Sequence, residues 1–228
     1  MGNDKVEAVE RALTVLNAFH ADKSAMTLGD IAAATGFYKS TILRLAGSLE
    51  RLGYLVREDS GLFRLGPALG RLGSIYLAGF NLGHAVRPEL RRLVDASGET
   101  ASFYVREGQT RVCLFRHNSP HSARHHLDEG IGLPLTAGAS AQVLLAFSDG
   151  KGASAKSVRE HGHAVSLGER DPEVAAVSVP VFDRAGRFRG ALAISGLIGR
   201  FNEKARRAAL GHLSASAGRL RTLLPARE

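Results

Sequence analysis

Residues 27–57, TLGDIAAATGFYKSTILRLAGSLERLGYLVR, constrain the fold of this chain more than any other segment. They read as two short amphipathic helices joined by a glycine turn, with a Gly-Tyr strand start directly after. Thr27 is placed to cap the first helix, and Asp30 stands where the carboxylate of a capping box belongs. Ile31 and Ala34 are expected to face inward, and Gly36 to supply the left-handed residue that ends the helix. In the second helix Ile42, Leu45, Ala46, Leu49 and Leu52 recur at helical spacing as one apolar stripe. The other side carries Tyr38, Lys39, Ser40, Thr41, Arg44, Ser48 and Arg51. Hydroxyls and cations on an exposed face suit a helix that enters a DNA groove, where its N-terminal side chains reach base edges and its cations hold phosphates.

Two short strand-like runs follow, residues 54–57 and 62–65, around the turn signal Ser60-Gly61, so a hairpin is expected. Arg57 and Arg64 sit on its arms. Upstream, Val6, Val9, Ala12, Leu13 and Leu16 mark another apolar helical face that ends near Phe19. Helix, helix, turn, helix and hairpin make a winged helix-turn-helix. A small helical domain used only for protein contact would contain helices too, but the order and spacing favour DNA binding, with Thr27, Tyr38, Lys39, Ser40, Thr41, Arg44, Ser48, Arg57 and Arg64 as the contacting set.

Total charge does not carry that conclusion. The chain is formally +8, yet residues 1–66 hold eight Lys/Arg and eight Asp/Glu. Distribution is more telling: residues 37–57 have four cations against Glu50 alone. A neutral module polarised toward one face gives a modest phosphate contribution per subunit, which favours an oligomer that sums half-sites.

A length of 228 residues with 44% hydrophobic residues fits one or two globular domains. No run of about eighteen apolar residues marks a membrane span, and a single cysteine fits a reducing cytoplasm. Cys113 lies in a strand-like run and reads as a small buried hydrophobe. Pro67 suits the first turn of a new helix, whose apolar positions Leu69, Leu72 and Ile75 are weakened by Gly70 and Gly73. It is expected to be a linker helix, residues 67–83, stabilised by packing on a partner subunit. A further helix puts Val86, Leu90, Leu93 and Val94 on one side and Arg87, Arg91 and Arg92 on a solvated one.

From Glu99 the period changes to two. Residues 100–106 and 111–116 form a strand-turn-strand unit, and residues 174–182 and 189–196 form another, around residues 183–186. A buried helix is expected between them over residues 139–147, and Asn202 caps a final helix running to about Leu224. Antiparallel strands with helices before, between and after give an α+β domain, residues 84–228, behind a DNA-binding domain of residues 1–66.

These features together resemble the IclR family of transcriptional regulators along nearly the whole chain. The resemblance rests on Lys39-Ser-Thr-Ile-Leu-Arg-Leu45, Gly53-Tyr54-Leu55, Phe63-Arg-Leu-Gly66, Gly98-Glu-Thr-Ala101, Gly132-Leu-Pro-Leu135, Val179-Pro-Val-Phe-Asp183 and Ile194-Ser-Gly196. It implies an N-terminal winged helix, a linker helix and a GAF-like C-terminal domain that binds a small metabolite, often a carboxylate. It also implies a homodimer or tetramer on a palindromic double-stranded DNA operator, with no cofactor. The pocket positions it implies are Ala137, Gly138, Ala139 and Ser140 at a helix start, Ser166, Val174 and Ala176 on a second wall, and Ala193 and Ser195 on a strand. Backbone N–H groups at such a helix start suit an anion. A lining mainly of Val, Ala and Gly implies an effector less polar than glyoxylate-sized acids.

The chain departs from the family pattern twice. Thr136 and Gln142 replace a usual His and Lys, and residues 147–165 form a short polar stretch where a longer helical insert is usual. Other chemistry is weaker. His117, His121, His125 and His126 could in principle bind zinc, but Pro120 breaks any helix that would align them. A rival function, a hydrolase or isomerase acting through Ser140 with the winged helix as a dimerisation element, lacks an identifiable His-acid partner. The cations at Arg184, Arg187 and Arg189 read as a solvated cluster around a turn.

Overall fold

The computed structural model describes residues 5–20, 23–78, 82–125, 127–148 and 150–226. The chain divides into two compact units between Gly79 and Phe80.

The first unit contains α1 (Glu7–Asn17), β1 (Ala25–Met26), α2 (Leu28–Thr35), α3 (Lys39–Arg51), β2 (Leu55–Arg57), β3 (Phe63–Leu65) and α4 (Pro67–Ala78). The capping box at α2 is formed: the Asp30 N–H donates to the Thr27 hydroxyl at 3.1 Å, and the Thr27 N–H returns a bond to the Asp30 carboxylate at 2.9 Å. Gly36 ends α2 with φ +72°, the left-handed conformation that glycine adopts without a Cβ penalty. Val15, Ile31, Ile42, Ala46, Leu55 and Phe63 form the core of this unit. β2 and β3 pair as the wing, and β1, a strand that periodicity does not reveal, adds to the far side of β3.

Three details of the apolar pattern differ from the sequence reading. Ala34 and Leu52 are exposed, so the buried stripe of α3 ends at Leu49. On α1 the inward residues are Val15 and Leu16, whereas Val6, Val9 and Leu13 are 64%, 54% and 53% exposed. Helical periodicity identifies an apolar face but does not say whether its own domain covers it.

The second unit contains α5 (Leu82–Ser97), β4 (Thr100–Glu107), β5 (Thr110–His117), β6 (Gly132–Pro134), α6 (Ala139–Ser148), α7 (Ala153–His161), β7 (Ala164–Leu167), β8 (Val174–Phe182), β9 (Phe188–Leu197) and α8 (Glu203–Leu223). Its strands form one antiparallel sheet in the order β6-β5-β4-β9-β8-β7. Alternating side chains feed two cores. Phe103, Phe115, Val177, Leu192 and Ile194 pack under α5 and α8 on one face. Tyr104, Cys113, Ala191 and Ala193 pack under α6 and α7 on the other. Cys113 is buried, and desolvation pushes its thiol up to about 11, as expected of a structural cysteine. Asn202 caps α8 by accepting from the Ala205 N–H at 3.0 Å.

The polar stretch over residues 147–165 is not structureless: Gly152 and Gly162 flank the amphipathic α7, which buries Ala155 and Val158. Arg87, Arg91, Arg92, Arg184 and Arg187 are exposed, as expected of solvated faces, though Arg87 and Arg184 also find long-range partners. Arg87 forms a bidentate pair with Glu129 at 3.0 and 2.7 Å and lies over the Phe115 ring. The Arg189 side chain is only 6% exposed and lies beside Asp183 at 3.4 Å, and Arg184 donates to the Thr222 carbonyl at 2.6 Å. Long-range partners of this kind leave no periodic trace in a sequence.

Candidate functional site

The first candidate surface is the outer face of α3. Tyr38 occupies the N-cap position with its ring 85% exposed and no capping bond. Lys39, Ser40, Arg44 and Ser48 are exposed, and Thr41 is half-buried. Ile42, Ala46 and Leu49 on the opposite side anchor the helix in the core, so the polar side chains are presented outward from a fixed scaffold. The first turn of α3 holds no acidic residue. The partial positive charge of a helix N-terminus is therefore added to that of Lys39 and Arg44.

On the wing, Arg57 is exposed and lies 5.3 Å over the Phe63 ring. Arg64 is ion-paired with Glu58. Thr27 spends both its hydroxyl and its N–H on Asp30. That carboxyl is held far below the ordinary range, chiefly by the bond from Lys23 and then by those from Thr27.

The second candidate is a cleft in the α+β unit between α6, the sheet and the residues 168–172 loop. It is lined by Gly138, Ala139, Ser140, Ser166, Val174, Ala176, Ala193 and Ser195, together with Tyr104, Arg111, His125, Leu133, Arg170 and Asp171. Strand register explains much of this grouping: Ser166 opposes Ala176 and Ala176 opposes Ser195, which sets three residues from β7, β8 and β9 in one row. Ala137 contributes its carbonyl, which accepts from Arg111 Nη1 at 2.6 Å. The cleft is partly open, with an accessible volume of about 40 Å³, the space of a few water-sized groups.

Sequence reasoning missed the charged part of the lining. Arg111 comes from β5, is 3% exposed, and its Nε has no hydrogen-bond partner. Desolvation lowers the pKa of its guanidinium. Gly138 makes room for it: with φ +100°, a Cβ there would lie 3.2 Å from Arg111 Nη2. The available signal was an arginine alternating with apolar residues in Arg111-Val-Cys-Leu-Phe115, on the strand face that holds Cys113. The lining is thus not mainly Val, Ala and Gly, and the expectation of a weakly polar effector loses the premise it was drawn from. Gln142 finds a different use from a family lysine, donating to both oxygens of Glu169 at 3.0 and 3.1 Å.

Among the described residues no group of three or more His, Cys, Asp or Glu could hold a metal ion; His126 lies outside them. Also among the described residues, no helix is long and apolar enough to cross a membrane.

Comparison with known proteins decides the family. Residues 8–59 match the IclR helix-turn-helix domain, and residues 74–156 and 152–222 match the IclR C-terminal domain of bacterial transcriptional regulators. The chain belongs to the IclR family. Similar members include the transcriptional regulator KipR of Bacillus subtilis, 24% identical over 88% of this chain and 90% of that protein. XynR of Escherichia coli is 26% identical over 87% and 89%. An IclR transcriptional regulator from Silicibacter sp. TM1040 shares the fold, with a TM-score of 0.83, 24% identity and 97% and 98% of the two chains covered. An IclR homologue from Microbacterium hydrocarbonoxydans, solved with 4-hydroxybenzoate, aligns with a TM-score of 0.75, 21% identity and 94% and 99% coverage. IclR-family proteins are ligand-responsive transcriptional regulators, and this chain carries both the DNA-binding and the effector domain. The hydrolase or isomerase reading finds no support in these relationships.

Proposed function

We propose that this IclR-family regulator binds a palindromic operator in the cytoplasm as a homodimer or tetramer, and that a small carboxylate metabolite in the α6 cleft changes its operator affinity. The observation that carries the DNA half is the segregation of α3. Tyr38, Lys39, Ser40, Arg44 and Ser48 are exposed while Ile42, Ala46 and Leu49 are buried. Thr41, Arg57 and Arg64 extend the contacting set, and Thr27 contributes by fixing the start of α2. The exposed Val9 and Leu13 on α1, with Val6 at its N-cap, supply an apolar face of the kind that a second subunit covers. Residues 67–83 serve as the linker between the two functions, with residues 79–81 outside the described part.

The effector half rests on Arg111, a buried cation lining the cleft beside Gly138, Ser140 and Ser195. The Microbacterium homologue was solved with an aromatic carboxylate, which supports an acid as the class of effector. Coupling requires the effector to bind one subunit arrangement better than the other, which alters the spacing of the paired recognition helices. Footprinting on DNA upstream of the chain's own gene, with and without candidate carboxylates, tests both halves. The expected result is a protected palindrome whose occupancy responds to an acid. A protein that protects no DNA under any condition rejects the reading.

A further inference from the structure

Resting on the reading that the α6 cleft takes a carboxylate, we propose that Glu169 is a built-in occupant of the effector's anion seat, which a small free monocarboxylate must displace in order to bind. The Gly138 N–H, at the start of α6, donates to Glu169 Oε2 at 2.9 Å. Gln142, one turn along, grips both carboxylate oxygens. The position that a helix start offers to an anion is therefore filled by the protein itself. Directly beneath it lies Arg111, buried, with an orphaned Nε. No described carboxylate forms an ion pair with it. Its Nη1 donates to the Ala137 carbonyl at 2.6 Å, but a neutral carbonyl does not neutralise the charge, and a buried guanidinium without a paired carboxylate remains costly. Glu169 approaches from the exposed side and satisfies the backbone and Gln142, but it leaves Arg111 short of a partner. A compact free carboxylate can enter the cavity and accept from the Gly138 N–H and from Arg111 together.

The same loop carries a second tie. Arg170 Nη2 lies 2.6 Å from His125 Nε2, and Asp171 lies 3.9 Å from His125 Nδ1. Arg170 and Asp171, the two residues after Glu169, thus both line the cleft and meet His125. A charged side chain that holds the seat most of the time reduces the apparent affinity for any rival by the fraction of time the seat is open.

Acetate titrated into the full-length protein and followed by NMR tests this, with acetamide as the uncharged isostere. Glu169→Ala is expected to bind acetate about tenfold or more tightly than wild type. Glu169→Asp keeps the charge but shortens the reach, and is expected to gain affinity as well. In wild type, saturating acetate is expected to move the Gln142 side-chain amide signals toward their positions in Glu169→Ala. Acetamide is expected to gain no comparable affinity. Arg111→Met is expected to lose acetate binding in every background, with Arg111→Lys as the companion variant should Met impair folding. Equal acetate affinity in wild type and both Glu169 variants overturns the displacement while the carboxylate pocket stands. A gain confined to Glu169→Ala and abolished by high salt reduces Glu169 to simple repulsion and also overturns it. Absence of acetate binding in all three proteins removes the pocket reading and the displacement with it.

Discussion

Arg219 on α8 holds Glu89 on α5 through a two-pronged contact, Nη2 to Oε2 at 2.7 Å and Nε to Oε2 at 3.0 Å, across 130 positions of sequence. Glu89 is almost wholly buried, and Arg92 adds a further bond at 2.8 Å. Burial opposes ionisation of this carboxyl, yet the bonds from Arg219 and Ser216, with the nearby charges of Arg219 and Arg92, outweigh it and hold the pKa below the usual carboxylate value.

That depression fixes the sign of a pH dependence. The stabilisation is present above the unfolded carboxyl's pKa and is lost as pH falls through the lower, folded value. Arg219→Ala removes the main partner and leaves the charge buried, so it is expected to cost roughly 3 kcal/mol. It is also expected to move the acid-unfolding midpoint to higher pH. Denaturant melts monitored by circular dichroism from neutral to acidic pH check both; an unchanged acid midpoint counts against the assignment.

Thr27→Ala is expected to lower the stability of the first unit by about 1 kcal/mol, because it removes the acceptor for the Asp30 N–H. Asp30→Ala breaks the reciprocal bond and should cost a similar amount. Urea unfolding curves for the two variants and their combination are expected to show less than additive losses, since both residues serve one cap.

Arg44→Ala is expected to weaken operator binding at least tenfold with no change in the thermal melt. If Arg44 contacts phosphate, the slope of log affinity against log salt should fall by about one. If it contacts a base, the loss should concentrate on one operator position instead. Electrophoretic shifts over a salt series separate these outcomes, and undiminished binding rejects α3 as the contacting helix.

Leu13→Asp and Val9→Asp place a charge in the exposed apolar stripe of α1. Both are expected to reduce the oligomer in sedimentation experiments and to lower operator affinity while the winged helix remains folded. An unchanged sedimentation profile would place the subunit interface elsewhere.

Gly138→Ala should cost on the order of 1–3 kcal/mol and also impair effector binding. Its backbone φ of +100° disfavours a side chain, and the new methyl would press on the Arg111 guanidinium. A variant with wild-type stability and binding would show that the turn relaxes freely.

Much of the fold was legible because it is encoded locally. The Thr27 cap, the Gly36 turn, the buried stripe through Ile42, Ala46 and Leu49, and the period-two runs of β4, β5, β8 and β9 each express a short-range rule. The two-residue β1, the three-residue β6 and the four-residue β7 were not legible. Strands that short hold too few alternations to show a period, and they form because a neighbouring edge offers hydrogen bonds.

By itself, the sequence determined the order of elements, the outward polar face of α3 and several of the residues that line the α6 cleft. Tertiary structure alone decided that Arg111 is interred beside Gly138, that Glu169 returns 31 residues to the start of α6, and that Val6, Val9 and Leu13 lie uncovered. The physical reason is range. Caps, turns and periodicity act over a few residues, whereas the partner of a buried charge or an apolar face is whatever the folded chain brings alongside it.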